Sequence, residues 1–219
     1  HDDDHDEHDD DHDEHDDDHD DEHDDDHDEH DDHDDHDDHD DGAMDPHFWL
    51  DPQRAVQAVT TLESTFAEMD EDNAEVYADN AAAYRDQLEE LDSEIQSIVD
   101  DAPKNTIMLA GHDAFGYLED RYGLHVEALT GFSPDEQPTP RDIERAQDII
   151  DEYGLEYVCA DPLENQAAAE QLVEETDAVG VLPLTPIPGQ TSEWADNDWG
   201  YIEIMENINL DTLETALNA

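Results

Sequence analysis

Basic residues are nearly missing from this chain. Six Lys and Arg stand against 70 Asp and Glu, for a formal net charge of −64. Such a field repels the phosphates of nucleic acid and of anionic membranes, so neither is an expected partner. Cysteine occurs once, at Cys159. That excludes an internal disulfide and a cysteine-built zinc site. Its neighbours Tyr157, Val158 and Ala160 read as a strand in which the thiol fills a small core position. No apolar run is long enough to cross a membrane as a helix. The chain opens on a His, Asp and Glu tract, which does not read as an apolar leader.

What is present is concentrated oddly. Residues 1–41 consist only of His, Asp and Glu and hold 12 of the 15 histidines: His1, His5, His8, His12, His15, His19, His23, His27, His30, His33, His36 and His39. Imidazole and carboxylate are the ligands that suit zinc and similar cations. With no apolar residue the tract cannot bury a core, and disorder is expected without metal. The histidines recur every three or four residues, a helical spacing, but Asp is a poor helix former. Two readings stay open, a weak multi-site metal collector and a solvated polyacid lengthened by repeat slippage.

The acidity is not confined to the tract. Outside the first 41 residues, 41 acids still face six bases. Salt at high concentration screens such repulsion within a few ångströms, so the body reads as halophilic. The 178 residues after it suffice for one domain with a real core or for parts of two.

Pro52, preceded by Asp51 as a cap, opens a helical pattern running through Phe66. A polar break at Asp70–Asn73 follows. A longer helix is predicted from Ala74 to about Asp100, with apolar residues at three- and four-residue steps. The pattern then alternates strand and helix. Strands are predicted at Thr106–Ala110, Val126–Leu129, Tyr157–Ala160 and Gly180–Leu184. Helices are predicted at His112–Tyr122, Thr139–Tyr153 and Asn165–Thr176, the first two closed by Gly123 and Gly154. Gly189–Gly200 reads as a loop and Tyr201–Leu217 as a closing helical region. The class is α/β with a mostly parallel sheet, whose ligands gather at the carboxyl ends of its strands.

Three histidines lie in this body. His47 precedes an aromatic pair and a helix; it suits a ligand or a hydrogen-bonding structural residue. His112 follows the strand Thr106–Ala110, at the ligand side of the sheet, and suits a ligand or a residue near a helix cap. His125 reads as surface. Asp113 could act as a base, or simply favour a helix start. There is no His-Glu-x-x-His, no Gly-x-Ser-x-Gly and no Gly-rich phosphate loop, so the chain does not read as an enzyme.

Pro46-His47-Phe48-Trp49-Leu50-Asp51-Pro52 resembles the His-x-Trp-Leu-Asp-Pro signature of metal-specific solute-binding proteins of ABC importers. Gly111-His112-Asp113-Ala114-Phe115 with Arg121-Tyr122-Gly123-Leu124 looks like the second His motif of that family. Ser133–Pro140 resembles the Glu/Pro-rich segment after it, and Asn80, Tyr84, Leu88, Leu91 and Asp92 fit its long helix. An acidic, His-rich loop before the first motif is typical of the zinc, ZnuA-like branch.

The resemblance implies a metal-type periplasmic binding protein, two α/β lobes joined by a long helix, with most of the first lobe missing from this chain. Residues 1–42 would be the metal loop, 43–72 the remnant of the first lobe, 73–102 the linking helix and 103–219 the second lobe. It implies His47 and His112 as metal ligands, with a first-lobe histidine absent. Thr185, a poor ligand, stands where relatives carry a fourth. The cargo implied is Zn2+, with Mn2+ or iron as alternatives, taken outside the cytoplasm and passed to an ABC importer permease by a monomeric carrier. A metal buffer and a metal-dependent hydrolase are the competing functions.

Overall fold

The computed structural model describes residues 44–133 and 136–218; the 12 tract histidines, Pro134 and Asp135 lie outside the described residues.

Two long helices come first. Asp51 caps α1 (Pro52–Met69): its carboxylate accepts the Gln53 N–H at 2.8 Å, and Pro52 takes the first-turn position where its missing N–H costs nothing. A short turn at Glu71–Asn73 leads into α2 (Ala74–Asp101), 28 residues and so about 42 Å long. Ala81, Leu88, Leu91 and Ile95 form one buried stripe along it.

Strand–helix alternation follows as the sequence predicts. The strands are β1 (Thr106–His112), β2 (His125–Thr130), β3 (Tyr157–Ala160) and β4 (Gly180–Pro183). They form one parallel sheet in the order β2-β1-β3-β4. Between them run α3 (Gly116–Tyr122), α4 (Pro140–Tyr153) and α5 (Ala167–Glu175). α4 opens on a Thr139–Asp142 capping box, and Gly123 and Gly154 end α3 and α4 at positive φ, +72° and +58°.

Period-two alternation divides the core. Ile107 and Leu109 of β1 join Leu88, Leu91, Ile95 and the last helices on one face. Met108 and Ala110 join Ile143, Ile150 and Leu172 of α4 and α5 on the other. Cys159 is fully buried, and burial pushes its thiol up to about 12. It is a core residue, as its neighbours suggested.

Three local expectations change. His112 does not begin a helix; β1 extends to it, past an irregularity between Leu109 and His112, because it pairs with Thr130 of β2. Asp113 is therefore in a connection, not at a helix start. The predicted loop Gly189–Gly200 contains α6 (Ser192–Asp196), capped by Thr191 and anchored by the buried Trp194. The closing region is α7 (Tyr201–Ile204) and α8 (Asp211–Asn218) around a wide π-helical turn, Met205–Leu210.

Candidate metal centre

His112 ends the central strand β1, so its side chain stands at the carboxyl edge of the sheet. It is 7 % exposed, and its Nδ1 lies 3.1 Å from Oε1 of Glu164. Glu164 follows β3, the strand next to β1, and its N–H donates to the Asp161 carbonyl in a tight turn. The order of strands, not nearness in sequence, supplies this carboxylate.

His47 arrives on a short turn, Phe48–Leu50, with Leu50 as its buried anchor. Its ring Nδ1 lies 2.7 Å from Oδ1 of Asp45, and the same oxygen accepts the His47 N–H at 2.9 Å. The turn is held to the sheet domain at several points. Tyr117 of α3 donates to the Asp45 carbonyl at 3.0 Å, Trp49 donates its indole N–H to the Pro186 carbonyl at 2.8 Å, and Tyr201 donates to the Trp49 carbonyl. His47 therefore belongs to the same compact unit as His112, which spans Ala43–Ala219.

The two rings meet. Their centroids are 5.4 Å apart and their planes are inclined at 46°. A tetrahedral zinc with Zn–N about 2.0–2.1 Å would put each ring centroid about 3.2 Å from the ion and the two about 5.2 Å apart. The observed spacing fits. A carboxylate oxygen lies against Nδ1 of each ring, so Nε2 is the nitrogen these carboxylates leave open on each, the arrangement that zinc-binding histidines commonly show. Among the described residues no group of three or more His, Cys, Asp or Glu is gathered to hold an ion. The pair could supply two ligands.

Thr185 is fully buried and is committed elsewhere. Its N–H donates to Asn209 Oδ1 at 3.0 Å, its carbonyl accepts from Asn209 Nδ2 at 2.9 Å, and its hydroxyl accepts the Ile187 N–H at 3.0 Å. Asn209 sits in the wide turn, which aims its amide at this loop. Ile187 itself is held at φ +58°, an unusual conformation for a β-branched residue.

Two carboxylates that sequence reasoning did not single out, or read differently, lie close by. Asp161 is 4 % exposed, and one of its oxygens finds no partner among the described residues. Burial raises its carboxyl above the ordinary range, against the opposing Leu163 N–H and Thr185 hydroxyl. Asp113 is raised too, by burial and then by Asp45, while His47 and His112 oppose the shift. Asp45 could have been found from its place two residues before His47. Glu164 and Asp161 could not, because only strand order brings them to His112. His125 is exposed at the start of β2, the end of the sheet opposite His112, consistent with the surface reading.

A family model described as zinc-uptake complex component A, periplasmic, matches residues 1–216. The high-affinity zinc uptake system protein ZnuA of Bacillus subtilis is 30 % identical over 175 residues, covering 80 % of this chain and 54 % of that protein. Zinc-binding protein AdcA of Streptococcus pyogenes is 31 % identical over 171 residues, covering 78 % of this chain and 33 % of that protein. The chain thus spans about half the length of the first relative and a third of the second. The metal-dependent lipoprotein YcdH of Bacillus subtilis superposes with a TM-score of 0.69 at 32 % identity, over 81 % of this chain and 66 % of that structure. The Zn(II)-bound ZnuA-like domain of Streptococcus pneumoniae AdcA gives the same TM-score, 0.69, and the same coverages, 81 % and 66 %, at 29 % identity. The α/β sheet, its long helix and these likenesses together make the chain a member of the ZnuA family of zinc-uptake solute-binding proteins.

Proposed function

We propose that this chain binds a divalent cation, Zn2+ in preference to Mn2+, through Nε2 of His47 and His112, and hands it to the permease of an ABC importer. The observation that carries this reading is the pair of imidazoles 5.4 Å apart, each with Nδ1 on a carboxylate. Two neutral nitrogens suit zinc. Manganese prefers more oxygen ligands, and the hydroxyl of Thr185 is occupied by its own loop. Further ligands come from water or from protein outside the described residues.

In this assignment residues 1–42 are an accessory metal loop, 43–72 a part of the first lobe, 73–102 the linking helix and 103–219 the second lobe. The work is done outside the cytoplasm, where relatives named as periplasmic or lipoprotein components act. Among the described residues no helix is long and apolar enough to cross a membrane. The acidic surface suits a salty medium, in which its self-repulsion is screened.

The test uses a built-in reporter. The Trp49 ring lies 5.4 Å from the His47 ring, and the tract holds no tryptophan. Zinc titration in a chelator buffer, followed by tryptophan emission and repeated in Trp49→Phe so that the signal of Trp194 and Trp199 is subtracted, reads this site. Saturable tight binding by the unaltered chain and its loss in His112→Ala support the assignment. Equal affinity in both removes it.

A further inference from the structure

Only six Lys and Arg occur in the chain, and two of them, Arg54 and Arg121, converge on Asp51, which follows the His47 turn. Both face Asp51, and Arg121 is held in turn by Asp92 of α2. Asp92 accepts Arg121 Nε at 2.7 Å and the Tyr122 hydroxyl at 2.7 Å on one oxygen, and Arg121 Nη2 at 3.2 Å and Gln53 Nε2 at 3.0 Å on the other. Arg121 Nε also lies 3.3 Å from Oδ1 of Asp51, the residue that caps α1 just after the His47 turn. Arg54 faces the other oxygen of Asp51 at 3.5 Å, and its guanidinium covers the Tyr117 ring at 4.2 Å. Tyr117 in turn holds the Asp45 carbonyl. Both ends of the His47 segment, Asp45 and Asp51, are thereby tied to α3, the helix that follows His112.

We infer that Arg121, with Asp92 and Tyr117, is a positioning device for the metal site, setting the separation and tilt of His47 relative to His112. The inference rests on the zinc-binding reading above. Three considerations carry it. Leu50 and the hydrogen bonds at Trp49 hold the middle of the His47 turn, while its two ends, Asp45 and Asp51, are held by Tyr117 and Arg121 of α3. Apolar packing is non-directional, whereas a forked guanidinium–carboxylate contact fixes direction as well as distance. Finally, the node joins α1, which follows the His47 turn, to α2 and to α3, which follows His112. Arg121 touches no ligand histidine; it acts through Asp51 and the turn.

The experiment compares the full chain with Arg121→Met, Arg121→Lys, Tyr117→Phe and His112→Ala. Each is titrated with zinc in a chelator buffer through Trp49 emission, with circular dichroism and thermal melting alongside. Arg121→Met keeps the aliphatic stem and loses the fork. It is expected to weaken zinc binding about tenfold, the lower end for an outer-shell change. Arg121→Lys restores the charge without the fork, so it recovers part of that loss and not all. Tyr117→Phe removes one hydrogen bond and weakens binding about three- to fivefold while melting stays within a few degrees. If Arg121→Met and Tyr117→Phe bind zinc as the unaltered chain does while His112→Ala does not, the positioning role is overturned and the zinc site stands. If His112→Ala also binds unchanged, the zinc-site reading falls, and the positioning role with it. Should Arg121→Met fail to fold by circular dichroism, Tyr117→Phe decides.

Discussion

Two regions of this chain place histidine among carboxylates, and they do so in opposite ways. Residues 1–41 hold 12 histidines with no apolar residue among them. The body holds two that meet, His47 and His112, each with one carboxylate on Nδ1. The tract offers many donors and no apolar residue for them to pack against. The pair is held in place by the fold. Leu50 anchors one segment, β1 carries the other, and the ring spacing already matches a shared tetrahedral ion. Under the proposed assignment, preorganisation rather than ligand number marks the tight site.

The comparison can be broken most directly at His112. Its replacement by alanine should cost more than the about 10–100-fold of an outer-shell change and leave only the weak sites. Tryptophan-monitored zinc competition checks this. Next is Asp45→Asn, expected to weaken zinc about 10–100-fold by releasing the His47 ring. Glu164→Gln should cost less, because its contact to His112 is longer, 3.1 Å against 2.7 Å, and Glu164 is partly exposed.

A smaller effect sharpens the account of the scaffold. Burial pushes the Asp92 carboxyl up, but the hydrogen bonds from Arg121, Tyr122 and Gln53 outweigh it and hold it below its ordinary 3.8. A carboxylate depressed in the folded state contributes stability that is full above its unfolded value and is lost as pH falls through the folded one. Asp92→Asn should therefore be less stable than the unaltered chain by about 1 kcal/mol at neutral pH. The gap should close as pH drops below about 4, and melting curves from pH 7 downward test it. The smallest effect expected is the sharpest for the comparison. Removing residues 1–41 should leave the Trp49-reported affinity within about twofold, while abolishing the weak multi-site binding seen by calorimetry. A large loss of tight binding would show that the tract carries part of the site.

Much of the scaffold was readable because its causes are local. Asp51-Pro52 starts α1, Thr139-Pro140-Arg141-Asp142 starts α4, and Gly123 and Gly154 stop helices where the chain needs positive φ. His112 was misjudged for a local reason too. Gly111-His112-Asp113 carries cap-like residues, yet pairing with Thr130 of β2 drew His112 into the strand. α6 was missed because its anchor is tertiary, the burial of Trp194.

The sequence by itself determined the acidity, the separation of tract from body, the strand–helix alternation and the two histidines worth watching. These follow from composition, periodicity and caps, which act over a few residues. Only the tertiary structure decided that His47 and His112 stand 5.4 Å apart, that Glu164 reaches one of them, and that Thr185 is held by Asn209. Those contacts depend on the strand order β2-β1-β3-β4 and on where its loops converge. Long-range packing sets both, and no short stretch of sequence encodes them.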